Sequence, residues 1–345
     1  MRRWAIVVGA LGAVLLLGAA TLRFVVVPRS KVLPADTNQV VVYAGTMTAL
    51  NASALQAGDL ANAFVRDLPV RVERTVKVLS TSGGKARVSD ASVVKSAATG
   101  ETLTTSANVY TLDRGSMAPV ANFMDQPAEA ASGDVVVGFP IGTGKHTYQG
   151  WVQETGKTTP LAFDGTTKRQ GLDVYSFSGQ HTAPLADPGA MGLPASIPKS
   201  QLGTLALAGN VSQDQAAALL PALATLPDDV PLTYTFATKG GYWVEPATGI
   251  VVDMKRADTI NVAIKGLESV TMPVLNLDIA YTPDNVTSMV GDAKDARAQL
   301  ALFGTTVPLA LSVLGIIGLS LSVELFHVQR RRGAVREPLG RPVAA

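Results

Sequence analysis

The chain has 345 residues, 47% hydrophobic and 16% charged, with 29 Lys+Arg, 27 Asp+Glu and no cysteine. Without cysteine there are no disulfides, no thiol chemistry and no thiolate metal site, so an exported domain would depend on its core alone. The net charge of +2 hides an asymmetry: residues 1–30 hold four Lys+Arg and no acid, and residues 326–345 hold five Lys+Arg and one Glu. The remaining 31–325 then carries 20 basic and 26 acidic residues, net −6, which excludes a basic field for nucleic acid.

The first element is an uncharged apolar run, Trp4 to Leu22, behind Arg2 and Arg3. About 20 such residues suffice to cross a bilayer as a helix. Phe24 to Val27 prolongs it beyond Arg23, whose side chain can snorkel to the outer headgroups. We assign residues 1–27 to a transmembrane helix. The alternative is a cleaved signal peptide with Gly18 and Ala20 in the small-residue cleavage positions.

Residues 28–299 read as an extracytoplasmic, predominantly antiparallel β domain with a few short helices. Val70, Val72, Val76 and Val78 alternate with Arg71, Glu73, Thr75 and Lys77, the period of a sheet with one wet face. Arg74 is the exception, a charge on the apolar side. Leu172–Phe177 and Leu232–Phe236 are short aromatic strands. Ile260, Val262 and Ile264 alternate with polar residues, as do Leu275, Leu277, Ile279 and Tyr281. Thr99-Gly100, Thr155-Gly156 and Thr248-Gly249 each sit between such runs and supply the positive φ that a hairpin needs. Two helices are expected: Asp59–Asp67, ended by Pro69, and a segment opened by a capping box at Ser212–Gln215 and running to Leu226. Pro184–Leu205 reads as a long loop. Met117, Val120, Phe123 and Met124 recur at helical spacing.

The last element mirrors the first. Leu300–Val323 is uncharged and holds Pro308, expected to kink it. Residues 300–328 form the second transmembrane helix and 329–345 a basic cytoplasmic tail with Arg330, Arg331 and Arg332. Arginines outside both spans place both termini in the cytoplasm and the large domain outside. Glu324 reaches the headgroups at the inner edge.

Catalytic motifs are missing. Gly142-Thr-Gly-Lys145 follows an apolar strand, but its spacing and the following His146 do not fit a phosphate loop. His146 and His181 are 35 residues apart with no second ligand at helical or hairpin spacing. Asp134, Glu154, Asp164 and Glu245 are carboxylate candidates only by elimination. The expectation is a protein that is not an enzyme and needs no cofactor or metal.

Several stretches carry a resemblance: Val27-Pro-Arg29, Leu33-Pro34, Val137-Gly-Phe-Pro140, His146 to Trp151, and Tyr242–Gly249 followed by Ile250-Val-Val-Asp253. With the two-span layout, they resemble a family of actinobacterial membrane proteins labelled porin PorA. That resemblance implies a cell-envelope location and a part in envelope lipid or lipoglycan assembly, and it carries over no active site. The layout is also similar to class B scavenger receptors, which carry lipids through a tunnel in the ectodomain. A porin barrel needs many lipid-facing strands and no apolar helix, which this sequence does not offer.

The function expected from these features is non-catalytic binding or transfer of a lipid or lipoglycan precursor in an apolar cavity. Envelope biosynthesis enzymes are the expected protein partners. The expected lining is Val72, Val76, Tyr175, Phe177, Tyr234, Phe236, Ile260, Val262 and Ile264. A scaffold role, with Gly9, Gly12, Gly18, Gly315 and Gly318 packing helices, is the alternative. Pore formation, which the family label suggests, is the third.

Overall fold

The computed structural model describes residues 2–27, 31–51, 54, 57, 59, 62–122, 126–205 and 213–334. The chain divides into two units, Val32–Lys294 and the two ends, Met1–Lys31 with Asp295–Ala345.

The larger unit is mainly antiparallel β. Its strands are β1 Asn38–Leu50, β2 Phe64–Ser82, β3 Lys85–Ser96, β4 Thr102–Asp113, β5 Tyr148–Val152, β6 Lys157–Arg169, β7 Leu172–Pro184, β8 Ser196–Pro198, β9 Asp229–Val244, β10 Val251–Ile264 and β11 Leu267–Tyr281. They form one sheet in the order β4-β3-β2-β1-β11-β10-β9-β7-β6-β5, with β8 on β9. The three Thr-Gly turns close hairpins as their sequence demands: Gly100, Gly156 and Gly249 have φ of 73°, 62° and 75°.

The sheet curls until its two edge regions meet. Tyr110 of β4 donates to Gln153 Oε1, just past β5, at 2.9 Å, and Trp151 Nε1 donates to the same oxygen at 2.8 Å. The long connection from β4 to β5 runs along this seam. Arg87 holds it through Gln126 and Pro127, Arg74 donates to the Val137 carbonyl, and Trp151 N–H donates to Val135.

Helices pack on this sheet. α2 (Lys199–Leu205) and α3 (Gln213–Leu223) set Leu202 and Leu219 against Val230, Phe236 and Ile260. α4 (Pro283–Ala301) starts where Thr282 Oγ1 accepts the Asn285 N–H, with Pro283 at the first helical position, where its missing N–H costs nothing. It buries Met289, Val290 and Ala293 beside Val41, Val70 and Val174.

Three local expectations need correction. The helix expected over Asp59–Asp67 is not formed at its end, Leu60 and Ala61 lying outside the described residues: β2 begins at Phe64, because Phe64 and Val65 pair with Leu50 and Ala49 of β1, and that pairing overrides local propensity. Pro184–Leu205 is not one loop but contains β8 and α2. Met117 is not helical: it has φ 62° and lies between the bridged Leu112 and Pro119, while Phe123 and Met124 lie outside the described residues. So does Ser212, the expected cap of α3. Gln215 instead reaches the Thr271 carbonyl at 3.0 Å.

The smaller unit holds α1 (Arg2–Thr21) and α5 (Val307–Ala334), each joined to a π turn, Leu22–Val26 and Leu302–Thr306 respectively. The two helices touch through small residues. A Cβ on Gly12 would lie 2.8 Å from the Gly315 carbonyl, and one on Gly9 would lie 2.7 Å from Ser322 Oγ. Ser322 Oγ donates to the Ala5 carbonyl at 2.7 Å. Trp4, Leu11, Leu17, Phe24, Leu309 and Ile316 are each more than half exposed. An exposed apolar surface of this extent marks a membrane or protein contact, and both helices are long and apolar enough to cross a membrane.

Candidate functional site

Inside the curled sheet is a cavity of about 300 Å³. That is the small end of the range for ligand pockets, about 300–1,000 Å³. Charged side chains on inward strand positions line it. On β10 the even-numbered residues Met254, Arg256, Asp258, Ile260, Val262 and Ile264 share a face because side chains alternate along a strand. Arg256 and Asp258 therefore enter an otherwise apolar row. Arg74 does the same on β2, between Val72 and Val76.

Each charge has a partner. Arg74 forms a two-pronged pair with Asp90 across β2 and β3, at 2.8 and 2.7 Å. Arg256 bridges Asp258 at 2.7 Å and Glu154 at 3.0 Å. Thr238 donates to Asp258 at 2.6 Å. Two arginines against three carboxylates leave the wall close to neutral. Tyr110, Tyr242, Tyr281 and Trp151 add aromatic faces.

The electrostatics follow from burial. Desolvation pushes the Asp258 carboxyl above its ordinary range, and Arg256 and Thr238 hold it back. Burial alone would lower the Arg256 pKa, but Asp258 and Glu154 raise it instead. Burial also raises the phenols of Tyr242 and Tyr281. The Arg256 and Glu154 side chains remain 29% and 28% exposed, so they present polar atoms to the space rather than sealing it.

The nine residues expected to line one cavity do not surround it. Val72 alone among them lines it. Tyr234, Phe236, Ile260, Val262 and Ile264 meet in a packed cluster with Val230 and Met272. Val76 packs with Val78, Val88 and Tyr110, and Phe177 with Tyr175, Phe139 and Tyr148. These side chains are core.

The carboxylates picked by elimination scatter as well. Glu154 faces the cavity. Asp134 accepts the Gln149 N–H, Asp164 accepts Ser178 Oγ, and Glu245 caps its own hairpin by accepting from Thr248. Gly142–Lys145 is a turn, with the Gly144 N–H on Tyr148 Oη, and His181 meets Thr155 Oγ1. Among the described residues no three His, Cys, Asp or Glu side chains group as metal ligands. The sequence reading missed Arg256, Asp258, Asp90 and Tyr110. The charge at Arg74 was the one available pointer.

A curled antiparallel sheet around a charge-paired cavity, with an apolar helix at each end of the chain, defines a β-rich membrane protein. Residues 4–323 match the family model described as Porin PorA, and the chain belongs to that family. A relative from Corynebacterium resistens, named Porin PorA, is 25% identical over 411 residues, covering 94% of this chain and 96% of its own. Among solved structures, the dehydratase domain of RzxB from Pseudomonas fluorescens is 12% identical and covers 73% of this chain and 78% of its own. Its TM-score is 0.11, so it carries no argument about the fold.

Proposed function

We propose that this is a non-catalytic envelope protein whose exported domain binds a lipid or lipoglycan precursor, holding the polar glycan end in the cavity. The observation that carries the reading is the wall of internally paired charges and aromatic rings. A hydrocarbon chain entering it would strip water from five charged groups without replacing their hydrogen bonds. A free anion or cation would meet an opposite charge already taken. A neutral polyhydroxylated group can both donate and accept along such a wall and stack on its rings, which is how a few fixed polar groups give orientation in an otherwise apolar pocket. The apolar part of the ligand stays in the membrane, so the domain presents the headgroup to envelope enzymes.

Both termini are cytoplasmic in this reading, because the arginine clusters lie outside the spans. A C-terminus open to protease in intact cells would reverse it. Pore formation, which the family name suggests, has less support. Ser312 and Ser322 in α5 spend their hydroxyls on the Pro308 and Ala5 carbonyls. Outward strand positions carry Arg71, Lys77 and Lys168, unlike the lipid-facing band of a barrel. The scaffold alternative called on Gly9, Gly12, Gly18, Gly315 and Gly318 for close helix packing; Gly9, Gly12, Gly315 and Gly318 pack the chain's own two helices on each other, which leaves Gly18 open.

The test is mass spectrometry of the full chain purified gently from its own membrane. A co-purifying glycan-bearing lipid is expected. Parent protein free of any adduct, or carrying only acyl chains, would end the cavity reading.

A further inference from the structure

A second feature lies in the paired helices and owes nothing to the cavity. Pro308 has no N–H, so it cannot close the helical hydrogen bond to the carbonyl four residues earlier, that of Gly304. The helix widens just there into the π turn Leu302–Thr306. The other helix supplies the missing donor: Arg23, within the π turn Leu22–Val26, donates from Nη1 to Gly304 O at 2.6 Å.

This contact fixes the guanidinium without neutralising it. A carbonyl satisfies one of five N–H donors, and among the described residues Arg23 pairs with no carboxylate. Arg23 stands 20 residues beyond Arg3 in an unbroken helical run. At 1.5 Å per residue that is about 30 Å, the thickness of the hydrocarbon layer. The charge therefore lies at the outer headgroup level, with Phe24 and Phe303 exposed beside it, 76% and 53%. An uncompensated charge near hydrocarbon is costly, and the anion present at that depth is a lipid phosphate. Guanidinium matches phosphate geometry with a two-donor edge, and the bond to Gly304 orients that edge in advance.

We propose that the Arg23–Gly304 junction is a binding site for a lipid phosphate. Two sources share this chemistry, a bulk anionic phospholipid and a polyprenyl phosphate carrier, and the experiment separates them. The full chain in detergent is offered phosphatidylglycerol, a polyprenyl monophosphate or neutral diacylglycerol, and retention is read by native mass spectrometry. Arg23→Gln keeps a donor for the Gly304 carbonyl and removes the charge. It should retain a phosphate lipid about fivefold less than the parent, with diacylglycerol unchanged. Preference of the parent for one phosphate lipid names the source. Equal retention of phosphate lipids by parent and Arg23→Gln overturns the site. Pro308→Ala covers the case in which Arg23→Gln does not fold: it gives the Gly304 carbonyl a main-chain donor and frees Arg23. Its retention should fall, and unchanged retention overturns the junction as the site.

Discussion

Two stretches of the same strand face behave in opposite ways. From Ile260 to Ile264, β10 turns Ile260, Val262 and Ile264 into a cluster that holds Phe236 2% exposed and Ile260 2% exposed. Two residues earlier, the same face carries Asp258 and Arg256 beside open space. Both halves pair with β9 in one unbroken register, while the pairing with β11 shifts after Ile260, so the change in side-chain chemistry coincides with a change in backbone pairing where core gives way to cavity wall. Filled volume stabilises. The charged half keeps volume unfilled and costs desolvation, and replacing a buried ion pair by packed apolar groups is often neutral or stabilising. Charges retained where Val or Leu would pack are the feature on which the proposed binding reading rests.

The largest effect tests whether the charges hold one another. Arg256→Met leaves Asp258 and Glu154 without their shared cation, and should cost about 3–5 kcal/mol, the usual loss on breaking a buried pair from one side. Urea unfolding of the full chain in detergent reads it. A loss below 1 kcal/mol would mean that water in the cavity already solvates both carboxylates, and the contrast between the two halves would shrink.

The next pair of variants separates volume from charge. Val262→Trp enters the packed half and should overpack it, costing about 1–3 kcal/mol, without touching the co-purified ligand. Val72→Phe points into the cavity and should leave the unfolding midpoint nearly unchanged while removing the ligand. If both variants destabilise and neither changes the adduct, the cavity is no site. If Val262→Trp is the one that expels lipid, the aliphatic residues line the ligand after all.

What the sequence disclosed follows the same divide. Alternation picked out Ile260, Val262 and Ile264 because an apolar row interrupted by single polar residues is the pattern of a half-buried strand. It stopped at Asp258 for the same reason: a charge in the row looks like the end of the buried face, although in β10 that face continues through Arg256 to Met254. Arg74 was visible as an exception, but its partner Asp90 sits on β3, and no spacing rule links Arg256 to Glu154 across 102 positions. The apolar helices at both ends, candidate membrane spans, were legible from length and apolarity alone. Strand pairing that recruits Phe64 into β2 was not, because local propensity does not see Leu50.

The smallest effect separates carboxylates by position. Asp258 has its pKa raised by burial, whereas Asp113 has its pKa lowered by hydrogen bonds from the Ser116 and Gly115 backbone and the Ser116 side chain. The signs of their contributions are opposite. Between the unfolded value near 3.8 and its raised folded value, Asp258 binds more proton in the folded state, so its contribution to stability falls as pH rises through that window. Asp113 binds less proton in the folded state between its lowered value and 3.8. Its contribution is present above 3.8 and is lost as pH falls through the folded pKa. Each group can add at most about 1.4 kcal/mol per pH unit. Urea midpoints from pH 3 to 7 should show Asp258→Asn removing a descending component and Asp113→Asn removing an ascending one. The same sign in both variants would mean that Arg256 and Thr238 outweigh desolvation at Asp258, and would remove the electrostatic difference between the cavity wall and the outer turn.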